Sequence, residues 1–163
     1  MPSDLGPVVA VPAGFFHTCA VAVTTNNGAV RCWGLNDATQ GNVPSDLGPA
    51  IAVAAGINHT CALTKLGAVR CWGQNDDGQA QMPSDLGPAV AVAAGGLHTC
   101  AVTTNGTVRC WGNNDNNQYQ VPPNLGPAIA AGAGRCHSCA VTTKGRGRAL
   151  LGLEWARRDF GAF

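Results

Sequence analysis

Histidine and cysteine are the side chains here with the most chemistry to offer, and both recur at a fixed interval. His17, His59, His98 and His137 each stand before Thr-Cys or Ser-Cys. A catalytic histidine works with its own partner and normally occurs once. Four equivalent copies are therefore expected to be structural, each bonding a neighbouring backbone carbonyl where a hairpin starts. Cys61 and Cys71 are ten residues apart, as are Cys100 and Cys110, while Cys19 and Cys32 are thirteen apart because residues 22–26 carry an insertion. Around a short loop ending in glycine, each ten-apart pair falls opposite on adjacent strands, and Cys19 and Cys32 can still face each other across their longer loop. There the β-carbons lie about 4.5–5.5 Å apart, slightly long for the roughly 3.8 Å of a disulfide. Two readings stand open: one disulfide per unit, implying an oxidising compartment, or small buried thiols packed together. With no leader peptide legible, thiols are slightly preferred.

Other constellations have plainer explanations. Cys136-His-Ser-Cys139 has redox or zinc spacing, but no second ligand pair accompanies it. Asn75-Asp-Asp-Gly78 and Asn114-Asp-Asn-Asn117 lack the alternating ligands and terminal Glu of a calcium loop and read as turns. Asn58-His-Thr60 and Asn105-Gly-Thr107 are glycosylation sequons, which matter only in a secreted protein. No phosphate loop, nucleophile elbow or catalytic carboxylate pair is present. The expectation is a non-enzymatic chain needing no cofactor and no metal.

These residues are positioned by a repeat. Leu5, Leu47, Leu86 and Leu125, each before Gly-Pro, are spaced by 42, 39 and 39 residues. A period of this size means an array whose units bury their apolar faces against one another. In the third copy, Ala89–Ala94 is a short apolar run expected to be a buried strand. His98–Thr103 and Thr107–Trp111 flank Asn105-Gly106, a strong hairpin signal. Gln118–Val121 is expected to add a short outer strand. Three or four antiparallel strands in about 39 residues, with no helical pattern, make one blade of a β-propeller. Trp33, Trp72 and Trp111 are expected to supply the large buried area of each blade, with the four leucines as plugs between blades.

The string Ala-Ala-Gly-x-x-His-Thr-Cys-Ala-Val, followed by Gly-x-Val-Arg-Cys-Trp-Gly-x-Asn, resembles the repeat of the RCC1 (regulator of chromosome condensation) family over roughly residues 2–148. The resemblance implies an all-β, RCC1-like propeller, here open or partial with about four blades. A seven-bladed ring at this period would need about 270 residues. Repeats are assigned to 2–43, 44–82, 83–121 and, in part, 122–148, with an aberrant tail at 149–163. Family members include exchange factors for small GTPases, propellers joined to ubiquitin ligases, and secreted inhibitors. Fold alone does not choose among them.

Both ends depart from the pattern. Met1 aligns with the internal Met82, so the chain is expected to begin inside a longer array. At an offset of 39, Arg148 matches Arg109, while Ala149, Leu150 and Leu151 replace Cys, Trp and Gly. DNA for Val-Arg-Cys-Trp-Gly, read from its third base, encodes Ala-Leu-Leu-Gly. Residues from about 146 onward are therefore expected to be a frame-shifted fourth repeat, with a divergent cap as the alternative. On that reading Trp155, Arg157 and Arg158 carry no evolved role.

Composition narrows the partners. Charged residues are 12 % and the net charge is +1. The repeats hold no basic stripe for nucleic acid, and no apolar run approaches a membrane span. If Met1 is the true start the chain is cytoplasmic; if a leader precedes it, extracellular. Function is expected where copies differ, in a protein-binding surface. The candidates are Phe15, Phe16, Asn58 and Leu97 before the histidines, and Asp37, Asp76, Asp77, Asp115 and Tyr119 in the loops after Trp-Gly, with exposed Phe15, Phe16 and Tyr119 as aromatic anchors. An open array also leaves blade faces uncovered. Aggregation or self-association through them is expected.

Overall fold

The computed structural model describes residues 5–22, 28–143 and 148–152, the last five as backbone. The described chain is all-β and forms four three-stranded antiparallel sheets. The first holds β1 (Val8–Ala10), β2 (His17–Ala22) and β3 (Val30–Gly34), and the second β4 (Ala50–Ala55), β5 (His59–Thr64) and β6 (Val69–Gly73). The third holds β7 (Ala89–Ala94), β8 (His98–Thr103) and β9 (Val108–Gly112), and the fourth β10 (Ala128–Ala133), β11 (His137–Thr142) and β12 (Arg148–Gly152). Each sheet is a blade, and the four do not close on themselves.

The outer fourth strand expected at 118–121 is absent. Asn117 turns the chain with φ 58° and Gln118 follows in that turn. The first strand of each blade also departs from full burial. Register slips by one residue between Ala50 and Ala52, between Ala89 and Ala91, and at the matching points of β1 and β10. The extra residue of such a bulge leaves the ladder and points away from the neighbouring strand's face. Val9, Ile51, Val90 and Ile129 occupy it, and all are exposed.

The apolar cores lie between blades. Cys19, Val21 and Val30 of the first blade pack with Leu47, Ala50, Val53, Ala62 and Trp72. Leu63 and Val69 of the second meet Leu86, Ala89, Ala101 and Trp111 of the third. Val102 and Val108 meet Ala128 and Ala140, with Leu125 partly buried beside them. A three-stranded sheet of Ala, Val and Thr cannot exclude water alone, so each blade is stabilised by the next. Trp33 differs from its counterparts. It is half-buried, because no blade stands behind β3 among the described residues, whereas Trp72 and Trp111 are buried.

The hairpin tips also bind forward. Gly28, Gly67 and Gly106 carbonyls accept the amides of Ala50, Ala89 and Ala128 at 2.8–2.9 Å. Gly106 has φ +84°, and a β-carbon there would come within 2.8 Å of Pro127. Only glycine allows that turn to approach the next blade so closely.

The fourth blade keeps its pairing with a changed sequence. Cys139 faces Leu150, Ser138 faces Leu151 and His137 faces Gly152, as Cys100, Thr99 and His98 face Cys110, Trp111 and Gly112. The offset of 39 is thus corrected to 40 in β12. The connection from Thr142 to Arg148 is one residue longer than that from Thr103 to Val108. Residues 23–27, which hold most of the insertion at 22–26, together with Lys144, Arg146 and everything after Gly152, including Trp155, Arg157 and Arg158, lie outside the described residues.

Candidate interaction face

The histidines mark the end of the molecule where the variable loops gather. Each ring reaches the next blade: His17 Nε2 lies 2.8 Å from Thr60 Oγ1, His59 Nε2 3.0 Å from Thr99 Oγ1, and His98 Nε2 2.8 Å from Ser138 Oγ. The expected carbonyl partner is thereby corrected to a hydroxyl. Those hydroxyls donate in turn to the main-chain carbonyls of Gln40, Gln79 and Gln118 at 2.7–2.8 Å. Because the single hydroxyl proton is used there, the histidine must carry its proton on Nε2 and donate it. The Trp72 and Trp111 indoles donate to the same Gln40 and Gln79 carbonyls at 2.9 and 3.0 Å. One buried relay therefore locks each junction.

That tautomer leaves the Nδ1 lone pairs of His17, His59 and His98 buried without a donor. Charging the rings would place a cation in the junction. Burial, reinforced by His98 and His17, pushes His59 down to about 4 despite the opposing backbone of His98. Burial and His137 likewise push His98 down to about 4. Burial also lowers His17, against the backbone of Ile57. The unfolded chain takes up these protons near pH 6.5, whereas the folded chain resists. Stability is full above about pH 6.5 and falls as pH drops towards 4, at up to about 1.4 kcal/mol per pH unit for His59 and for His98. Urea midpoints measured from pH 7.5 to 4.5 check this. A flat profile would contradict it.

Gln40, Gln79 and Gln118 were not legible as structure, since they close loops that otherwise vary. Their recurrence at intervals of 39 was the available signal. All three are buried, and their Oε1 atoms accept the amides of Ala38, Asp77 and Asn116 at 2.9 Å.

Both sets of variable loops share this end. Leu35, Gln74 and Asn113 amides donate to Phe16, Asn58 and Leu97 carbonyls at 2.8–2.9 Å. Phe15 donates from its amide to Gly56 of the next blade at 3.2 Å, continuing the row. Phe15 and Phe16 are 61 % and 54 % exposed and meet edge to face, with centroids 5.9 Å apart. Leu35 is exposed beside them. Asn58, Leu97, Asp77 and Tyr119 are half-buried, so Tyr119 is no exposed anchor. Asn58 donates to Gln74 Oε1 at 3.3 Å, and His59 and Thr60 after it are fully buried, which closes that sequon. Asn105, in the second sequon, is exposed in the β8–β9 turn.

Asp37, Asp76 and Asp115 are exposed. Asp76 accepts Gln74 Nε2 at 2.7 Å, and Asn113 Nδ2 donates to Asp115 at 2.9 Å and to Asp77 at 3.0 Å. Asp76, Asp77 and Asp115 thus accept side-chain amides of these loops. Among the described residues no group of three or more His, Cys, Asp or Glu is placed to hold a metal ion. No helix among them is long and apolar enough to cross a membrane.

Cys19–Cys32, Cys61–Cys71 and Cys100–Cys110 are disulfides, each with Cα atoms 4.0 Å apart, so the slight preference for thiols gives way. The ladder places each pair directly opposite, and the backbones approach closely enough to overcome the expected excess distance. Cys136 and Cys139 stand outside these bridges and are half-buried.

The Regulator of chromosome condensation (RCC1) repeat profile matches residues 50–79 and 89–118, the second and third units. Two of the four units thus match the RCC1 repeat. No curated protein sequence matches it significantly. The ectodomain of the Physcomitrella patens receptor kinase CR4 is 25 % identical with a TM-score of 0.76, over 93 % of this chain and 42 % of that one. Human WBSCR16 is 20 % identical with a TM-score of 0.79, over 93 % of this chain and 50 % of that one. Yeast RCC1 (Prp20), solved bound to Kap60, is 20 % identical with a TM-score of 0.69, over 87 % and 43 %. The chain thus spans about half the length of the structures it resembles.

Proposed function

We propose that this chain is a non-enzymatic protein-binding module of an RCC1-like propeller, acting through the loop end of its blades. The observation that supports it is the exposed Phe15–Phe16 pair, in a fold that turns Trp72 and Trp111 into its junctions. Aromatic side chains held on a rigid scaffold bury much area at little entropic cost and serve as anchors at protein interfaces. Leu35 widens the apolar patch, and the acidic, amide-rich loops of the next two blades form a polar rim. Yeast Prp20, a structural neighbour, is described with protein partners, Kap60 and Gsp1p with histones. The exchange-factor reading has only that distant likeness behind it.

The test is titration of a partner identified by cross-linking against wild type and Phe15→Ser/Phe16→Ser. The variant is expected to lose binding about tenfold or more with its urea midpoint unchanged, since both rings are already in water. Equal affinity would remove these residues from the interface.

A secreted setting is favoured over a cytosolic one by the three disulfides, and two neighbours are plant receptor-kinase ectodomains. Alkylation of protein from its native source, followed by mass spectrometry, is expected to leave Cys19, Cys32, Cys61, Cys71, Cys100 and Cys110 unlabelled until a reductant is added. Labelling of all six without reductant would return the chain to a reducing compartment.

A further inference from the structure

The β8–β9 turn carries chemistry that the loop end does not use. Asn105-Gly-Thr107 has the spacing at which an asparagine of a secreted protein accepts an N-linked sugar chain. The modification needs an accessible Nδ2 and a hydroxyl two residues on. The turn offers both, since Asn105 and Thr107 are exposed while Gly106 between them is buried. Asn105 Oδ1 accepts the Thr103 hydroxyl at 2.6 Å and the Thr107 amide at 3.0 Å, which fixes the turn. Its Nδ2 makes no hydrogen bond among the described residues. The matching place in the second blade is equally open, where Leu66 is 92 % exposed. Asn58-His-Thr60 has the same spacing and opposite surroundings. Asn58 Nδ2 donates to Gln74 Oε1, and the buried Thr60 hydroxyl is held between His17 and the Gln40 carbonyl. A sugar chain on Asn58 would break its bond to Gln74 and crowd that junction. One on Asn105 displaces nothing.

We propose that Asn105 is an N-glycosylation site and that Asn58 stays bare. This rests on the secreted setting proposed for the chain. In the transfer, Asn105 Nδ2 attacks the anomeric carbon of a lipid-linked oligosaccharide. A C–N bond forms, and the C–O bond to the lipid pyrophosphate breaks. The pyrophosphate leaves with the electron pair, and Nδ2 gives one proton to a base of the transferase. The folded chain accommodates the product. β8 has six residues, so about 20 Å separates this turn from Leu97 at the loop end, and the sugar leaves the Phe15–Phe16 face clear. Beside Asn105 lies a groove of about 240 Å³ lined by Val121, Pro122, Pro123 and Pro127. It gives the C–H face of the first sugar an apolar shelf.

The test is peptide mass mapping of protein from its native source, with cysteine alkylation read on the same sample. The Asn105 peptide is expected to carry a sugar mass that a glycan-releasing amidase removes. The Asn58 peptide is expected at its bare mass, with the six bridged cysteines protected. Expressed in the same source, Asn105→Gln and Thr107→Ala are each expected to abolish the sugar, and Thr107→Ser to keep it. Should Asn105→Gln disturb the turn, the two Thr107 variants retain the asparagine and decide the matter. Protected cysteines with an unmodified Asn105 would overturn this proposal and leave the secreted setting standing. Cysteines alkylated without reductant, and no sugar, would remove the secreted setting and this site with it. Sugar on Asn58 of the oxidised protein would show that exposure does not select the site, and would overturn the proposal as well.

Discussion

Reducing the three hairpin disulfides is expected to cost this protein most or all of its stability. Each bridge closes a loop of only ten to thirteen residues. In the chain-entropy treatment a loop of that size contributes about 3 kcal/mol. Domains of this size are stable by about 5–15 kcal/mol in total, so losing all three bridges approaches the whole. The bridges also sit at the junction cores, where Cys19, Cys61 and Cys100 are fully buried. Urea unfolding followed by tryptophan emission, with and without reductant, reads the effect. Cys61→Ala/Cys71→Ala isolates the bridge of an internal blade and is expected to lower stability by about 2–4 kcal/mol. An unmoved midpoint after verified reduction would show that the fold does not depend on them.

Trp72→Ala is expected to destabilise by about 3–5 kcal/mol, and Trp33→Ala by about 1–2 kcal/mol. The same residue type at the same repeat position differs because Trp72 fills the first junction and donates to Gln40, while no blade stands behind Trp33 among the described residues. Trp72→Phe retains most of the packing and removes the indole donor, for about 1 kcal/mol. Chemical denaturation of the three variants under oxidising conditions measures these differences. Equal losses for Trp33 and Trp72 would mean that the first blade is covered in solution.

Much of the architecture was legible in the chain because it is written several times. One His-Thr-Cys is ambiguous, whereas four at a constant period indicate blades, and Asn105-Gly106 locates a hairpin through local turn chemistry. The misreadings have a common origin. Gln118 was assigned to an outer strand because propensity ignores the buried contacts that hold Gln40, Gln79 and Gln118 in turns. Val90 reads as core by hydropathy, but a bulge of one residue turns it outward. Tyr119 resembled an exposed anchor, yet its loop folds it half inward. The offset of β12 was missed because counting residues cannot show where a longer turn absorbs the extra one.

By itself the sequence determined the class of fold, the blade period, the strand pairing within the regular hairpins and the direct opposition of Cys61 with Cys71 and Cys100 with Cys110, because all of these follow from local patterning over a few residues. Tertiary structure alone decided what lies between blades. A histidine about 40 residues from its hydroxyl partner leaves no local trace of that bond. Only the stacking of one sheet on the next fixes its tautomer, its resistance to protonation and the identity of the buried glutamine carbonyl. The same stacking decided which copies of a repeated residue are covered. Trp33 matches Trp72 and Trp111 in type, and it differs because, among the described residues, a blade stands against one side of its sheet and none against the other.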